Sequence, residues 1–309
     1  MAYSFGGSHE EKVINRGAGL SRPGPVRLTI FLTVGILAVS CGSIFVRLAH
    51  APALAVSAYR VFWASILLAP ALIAGPIREL RPLTRKDWGL LILSGLALGL
   101  HFALWIASLS YTSVASSVLL VDTTPFFIGL ASQWVPGRSC PRGFWLGLGL
   151  AFAGCILIFG GDWSQSPNSM RGNALALGGA VAMAIYLLVG ARARQKLSLI
   201  SYVWPVYATS TIALFVACLA SGTELRGFPG ETYFFLFLLG LIPQCVGHTT
   251  YNWSLRWLTP ALVALIGLAE PVGASILAYL ILGEHLTAAK LAGGAIVLAG
   301  IYLASREQK

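Results

Sequence analysis

Displaced by 146 residues, this chain overlays on itself. Pro125–Ile158 aligns without a gap on Pro271–Ala304, with Pro125/Pro271, Gly137/Gly283, Gly147/Gly293, Ala153/Ala299, Gly154/Gly300 and Leu157/Leu303 identical. The same offset sets Ser108-Leu109 on Ser254-Leu255 and matches one apolar segment to another throughout. A chain written twice must fold as two like halves, and each half here consists of long apolar runs.

Composition fixes the solvent of those runs. Hydrophobic residues make up 57% of the chain and charged residues 10%, and the mean hydropathy is +0.78, well outside the range of a water-soluble domain. The net charge of +10 would suit a nucleic-acid partner, but the basic residues fall in short segments between apolar runs, so none is expected. Cys41, Cys140, Cys155, Cys218 and Cys245 are scattered and form no CxxC or Cys/His spacing, so we expect no disulfide framework, no metal and no cofactor. Residues 1–25 mix charge with Gly, Pro and Ser; they read as a disordered cytoplasmic tail, not a signal peptide.

A bilayer-crossing helix takes roughly 20 apolar residues. Ten windows qualify, at about 27–47, 53–74, 88–108, 113–135, 143–160, 172–191, 201–221, 232–254, 260–282 and 288–304. Ten spans make five per copy. Because five is odd, the second copy enters from the opposite side, and an inverted repeat follows. With both ends in the cytoplasm, sixteen Lys and Arg residues lie on the cytoplasmic side and four on the other, leaving Arg60 within the second span. The expected fold is therefore an all-α membrane protein of ten transmembrane helices in two inverted five-helix repeats, residues 26–160 and 172–304, with both termini cytoplasmic. They form one integrated domain in the cytoplasmic membrane. Duplicated membrane folds of this kind are mostly carriers, since two halves rocking about a shared site expose it to each side in turn.

The stretch from Glu270-Pro271 through Gly283-Glu284, followed by Gly293-Gly294 and Leu298-Ala299-Gly300, resembles the EamA-type repeat of the drug/metabolite transporter superfamily. The first copy departs from that pattern at Gly137-Arg138, while Gly147 and Ala153-Gly154 match it. The resemblance covers residues 27–304. It implies a ten-helix transporter of small molecules, and the chain looks most like the amino-acid and metabolite exporters, including the YddG type that exports aromatic amino acids.

Several residues stand out as candidates for a site. Pro125 and Pro271 lie near the middle of the fourth and ninth spans, where each removes an amide and frees a carbonyl one turn back, at Val121 and Gly267. They are expected to kink the helices and to act as flexible points in gating. Asp122 and Glu270 are the acids well inside the apolar spans, and a carboxylate there costs at least ~2.5–3.5 kcal/mol unless it meets water or a partner. Either acid is expected to bind a substrate ammonium or to carry a coupling proton. The offset pairs Asp122 with Leu268 and Thr124 with Glu270; two residues is roughly 200° around a helix, so the acids are not expected on equivalent faces. Gln244, His248 and Asn252, at i, i+4 and i+8 with Tyr251 beside them, form a polar stripe on the eighth span. His101 and Trp105 occupy the matching part of the third. Arg60 either snorkels to the headgroups or meets a substrate carboxylate.

The expected site is formed by the third, fourth, eighth and ninth spans, with His101, Trp105, Asp122, Gln244, His248, Tyr251, Asn252 and Glu270 binding substrate. The expected function is secondary export of amino acids, aromatic or apolar ones included, or of similar small metabolites by alternating access. The alternative is a proton-coupled exporter of lipophilic cations. A membrane enzyme or a channel is a remote alternative, because no residues stand at catalytic spacing and the duplication favours a carrier. The expected partners are a small-molecule substrate and the lipid bilayer, with the chain a monomer or weak homodimer.

Overall fold

The computed structural model describes residues 23–134, 139–159, 169–282 and 287–306. The tail 1–22 and the Gly137-Arg138 and Gly283-Glu284 pairs lie outside the described residues. The described chain is helical, with no strand, and nine of its helical stretches are long and apolar enough to cross a membrane. The first span is Pro25–Leu48, the second Ala53–Ile73 and the third Arg85–Ser108. The fourth expected span is two helices, Val114–Val121 and Thr124–Gln133. The fifth to eighth are Arg142–Phe159, Ser169–Ala193, Leu199–Ser221 and Gly230–Ser254. The ninth consists of Pro260–Gly267 and Glu270–Leu282, and the tenth is Ala288–Arg306.

The offset read in the sequence recurs in the helix boundaries. Helices begin at Ala53 and Leu199, at Val114 and Pro260, at Thr124 and Glu270, and at Arg142 and Ala288. Even the caps correspond: Ser113 accepts from the Ser116 amide as Thr259 does from that of Leu262. Both satisfy an N–H that a helix start otherwise leaves unpaired.

The copies pack on one another antiparallel. The fifth and tenth spans cross with Gly147 against Gly300 and Gly154 against Gly293; a Cβ at Gly147 would lie 2.5 Å from the Gly300 carbonyl oxygen, and one at Gly154 2.6 Å from that of Gly293. Since Gly147 and Gly293 are repeat-mates, as are Gly154 and Gly300, each pair maps onto the other by a pseudo-two-fold axis. Only glycine lets two backbones approach so closely, the packing mode that membranes favour because apolar burial does not drive helix association there. On the same axis the second and seventh spans set the mates Ser65 and Thr211 side by side at 3.3 Å.

Further ties join the halves at the two ends of the bundle. At one end Lys196 pairs with Asp87 at 2.9 Å, and the Ser198 amide donates to Glu79 at 2.8 Å. At the other, the Tyr59 hydroxyl donates to the Leu225 carbonyl at 2.6 Å.

Candidate functional site

The fourth and ninth spans break at the same place. Residues 122–123 and 268–269 leave the helix, and the chain resumes with Pro125 and Pro271 in the first turn of a new one, where a missing amide removes no intrahelical bond. The expected kinks are thus full interruptions. The carbonyl freed at Val121 accepts from Thr124 Oγ1 at 2.8 Å. Interrupted helices of this kind are tolerated in a membrane where they line a cavity.

Such a cavity, of about 70 Å³, lies between the two breaks, with room for a few waters. Of the residues singled out from the sequence, His101, Trp105, Asp122, Pro125, His248, Tyr251 and Glu270 line it. Gln244, Asn252 and Pro271 are buried but do not line it. The second span contributes Arg60, the first Val39, and the sixth Met183 and Leu187, so more spans enclose it than the four expected.

Both acids face this cavity. Two residues are 200° apart only on a continuous helix, and the breaks at 122–123 and 268–269 lift that constraint. Asp122 caps the end of Val114–Val121, whereas Glu270 opens the helix after the ninth span's break. Both carboxylates thus lie at a break, between the C-terminal end of one half-helix and the N-terminal end of the next, where the second dipole favours a negative charge and the first opposes it. Ser40 Oγ shares its proton between the Ile36 carbonyl at 2.8 Å and the Glu270 carbonyl at 3.0 Å, which sets the first span against the break.

The polar stripe of the eighth span divides among three tasks. Its middle, Gly240–His248, is wound as a π-helix, with Thr249 N–H bonding the Gln244 carbonyl five residues back. Gln244 Oε1 accepts from Arg60 Nε at 2.9 Å. His248 reaches the cavity, its ring 5.1 Å from that of Phe102 and 6.3 Å from that of His101. Asn252 Nδ2 donates to the Tyr186 hydroxyl at 2.5 Å and to the His248 carbonyl. On the third span His101 Nδ1 lies 3.0 Å from the Gly179 carbonyl. A carbonyl only accepts, which puts a proton on Nδ1. The His101 ring is nearly parallel to that of Trp105, at 7° and 6.2 Å.

Arg60 does not snorkel. It is 2% exposed, and its guanidinium carbon lies 4.1 Å from the centre of the Phe102 ring and 5.9 Å from that of Trp105. It has no ion-pair partner among the described residues. Its depth was the available signal: seven residues into the span is about 10 Å, farther than the side chain reaches with ease. What could not be read was that Gln244, 184 residues away, holds it.

Five buried polar atoms on the cavity wall lack a hydrogen-bond partner among the described residues: Arg60 Nη1, Trp105 Nε1, Asp122 Oδ2, His248 Nδ1 and Tyr251 OH. Leaving a buried polar group unpaired costs about 1–3 kcal/mol, more when it is charged. Native interiors avoid this, and five of the eight such atoms among the described residues gather around this one space.

Two antiparallel copies enclosing a polar cavity between interrupted helices are the arrangement of a membrane transport protein. The EamA-like transporter family matches residues 27–160 and again 170–306, once per copy, and the chain belongs to that family. It is a multi-pass membrane protein that transports small molecules. The Bacillus subtilis (strain 168) protein named "Uncharacterized transporter YwfM" is 26% identical over 72% of this chain and 76% of its own length. An "Uncharacterized transporter" of Archaeoglobus fulgidus is 26% identical over 80% of this chain and 87% of its own. A solved crystal structure shares the fold with a TM-score of 0.77, covering 92% of this chain and 98% of its own at 18% identity.

Proposed function

We propose that this protein is a secondary transporter of the cytoplasmic membrane that exports amino acids or similar small metabolites by alternating access. Both termini lie in the cytoplasm in this reading, which the sixteen-to-four distribution of Lys and Arg favours. The observation that carries the proposal is the convergence of unpaired polar atoms of both signs, on Arg60 and Asp122, with Glu270 and the aromatic groups Trp105 and Tyr251, on one cavity between the broken helices. A zwitterion with an apolar side chain presents the complement of that wall. Asp122 or Glu270 then either receives the ammonium or carries a coupling proton, and the two halves rock about the breaks before Pro125 and Pro271. A lipophilic cation fits less well, because Arg60 would set its own charge against it.

The test is counterflow in proteoliposomes. Labelled amino acid is expected to accumulate only when the same amino acid is trapped inside, with saturation, and an imposed pH gradient is expected to alter its rate. Uptake that neither saturates nor responds to internal substrate would replace the carrier with a channel.

A further inference from the structure

Resting on the reading that this cavity holds the substrate, we propose that Arg60 and Trp105 form its anion end and recognise a single planar carboxylate, with Gln244 as a positioning residue. The guanidinium is already fixed on two sides, by the Gln244 amide oxygen 2.9 Å from Nε and by the Phe102 ring 4.1 Å from Cζ. Among the described residues its Nη1 keeps no partner, and Trp105, another N–H donor on this wall without one, has its ring centre 5.9 Å from the same carbon. A side chain held by Nε and by its face has left free the edge with which arginine grips a carboxylate.

The rest of the wall limits the charge of that ligand. Among the described residues Arg60 is joined by no lysine or second arginine on the cavity, and Asp122 and Glu270 face the same space. One cation opposite two acids favours a monoanion that also bears an ammonium. A second carboxylate or a phosphate would meet the acids without a further counter-charge. The geometry points to monocarboxylic α-amino acids, selected over the corresponding amines by Arg60 and over dicarboxylates by the acids.

The experiment measures ligand-induced thermal stabilisation of the purified full-length protein, and counterflow in proteoliposomes, with matched probes: L-leucine, isopentylamine, isocaproate and L-glutamate; L-phenylalanine and phenethylamine; inorganic phosphate; and tetraphenylphosphonium. The amino acid of at least one pair is expected to bind at least about tenfold more tightly than its amine. Arg60→Gln is expected to lower that affinity about 100-fold and Arg60→Lys about tenfold, in line with removing a buried charged contact. Gln244→Glu is the control that a purely structural role would not satisfy. It keeps the shape but gives Arg60 a carboxylate of its own, so the empty protein should be as heat-stable as before or more so, while amino-acid affinity falls at least tenfold.

Equal binding of amine and amino acid, unchanged affinity in Arg60→Gln, tighter binding of phosphate, or no response to any carboxylate would each overturn the anion end. The two readings fail separately. Tetraphenylphosphonium counterflow without a carboxylate response would leave a transporter but no anion end. Amino-acid binding that depends on Arg60 without exchange would leave the anion end but no amino-acid transport.

Discussion

The two halves share a frame and differ in chemistry. Helix starts, caps, breaks and the glycine crossing recur at the 146-residue offset, yet half of the polar groups at the cavity have an apolar or small mate; the other half are the mates Trp105/Tyr251 and Thr124/Glu270. Leu98, Phe102 and Ile106 of the third span stand where the eighth has Gln244, His248 and Asn252; Val206 corresponds to Arg60, Leu268 to Asp122 and Gly247 to His101. The backbone diverges at the same place. The third span is regular helix from Arg85 to Ser108, whereas the eighth is π-wound over Gly240–His248, where Pro243 lacks an amide and Gly240 lets the Arg60 carbonyl and Trp63 approach. An inverted repeat needs symmetry so that its two open states can be alike. A substrate with distinguishable ends requires that the wall of the site break that symmetry, as Arg60, His101, Asp122 and His248 do.

Giving each acid its mate's residue breaks that asymmetry directly, and it is where we expect the largest effect. Asp122→Leu and Glu270→Thr should each lower counterflow by about 100-fold or more while the protein still inserts and purifies as wild type, because truncating a buried charged contact costs roughly 2–5 kcal/mol of binding. Counterflow within about tenfold of wild type in both variants would mean that the acids are structural and that the chemical difference between the halves lies elsewhere.

The frame was legible in the sequence and the wall only in part. Repetition, apolar length and charge placement act locally or at a fixed offset, so they gave the span count and the inverted order without any contact being known. The acids, His101, His248, Trp105 and Tyr251 were found because a polar or amphipathic group deep in an apolar run needs an explanation wherever it points. Arg60 and Gln244 explain one another only across the fold, and the common face of Asp122 and Glu270 depends on a helix break that a 100° wheel cannot represent. The π-winding, which sends Gln244 to Arg60 while His248 meets the cavity, was likewise hidden in a stripe that scans as ordinary α-helix.

Second in size is the glycine crossing, which sharpens the symmetric side of the comparison. A methyl at Gly147 would lie 2.5 Å from the Gly300 carbonyl oxygen and one at Gly293 2.7 Å from that of Gly154, both backbone atoms with little freedom to yield. Gly147→Ala and Gly293→Ala are each expected to destabilise by about 1–3 kcal/mol, read as a fall in the thermal denaturation midpoint in detergent. The prediction that matters is their equality. A difference between these mates of more than about 1 kcal/mol would show that the halves match in shape but not in energy. Asn252→Ile, which installs the mate Ile106, should follow at about 0.5–1.5 kcal/mol through loss of the bonds to Tyr186 and to the His248 carbonyl.

The smallest effect is expected on the axis itself, where Ser65 and Thr211 meet at 3.3 Å. The contact looks like a hydrogen bond between the halves, but a hydroxyl has one proton to give. Ser65 Oγ donates to the Val61 carbonyl at 2.8 Å, and Thr211 Oγ1 to that of Tyr207 at 2.8 Å, each within its own helix. With both protons engaged in equivalent bonds, two oxygens face each other across the axis and neither donates. Ser65→Ala and Thr211→Val should therefore change stability by about 0.5 kcal/mol each, near the average for polar contacts in membranes, and the double variant should show a coupling below about 0.3 kcal/mol. A coupling of 1 kcal/mol or more would mean that one hydroxyl has turned to donate across the axis. The halves would then differ at a pair of mates that the fold places in contact with each other.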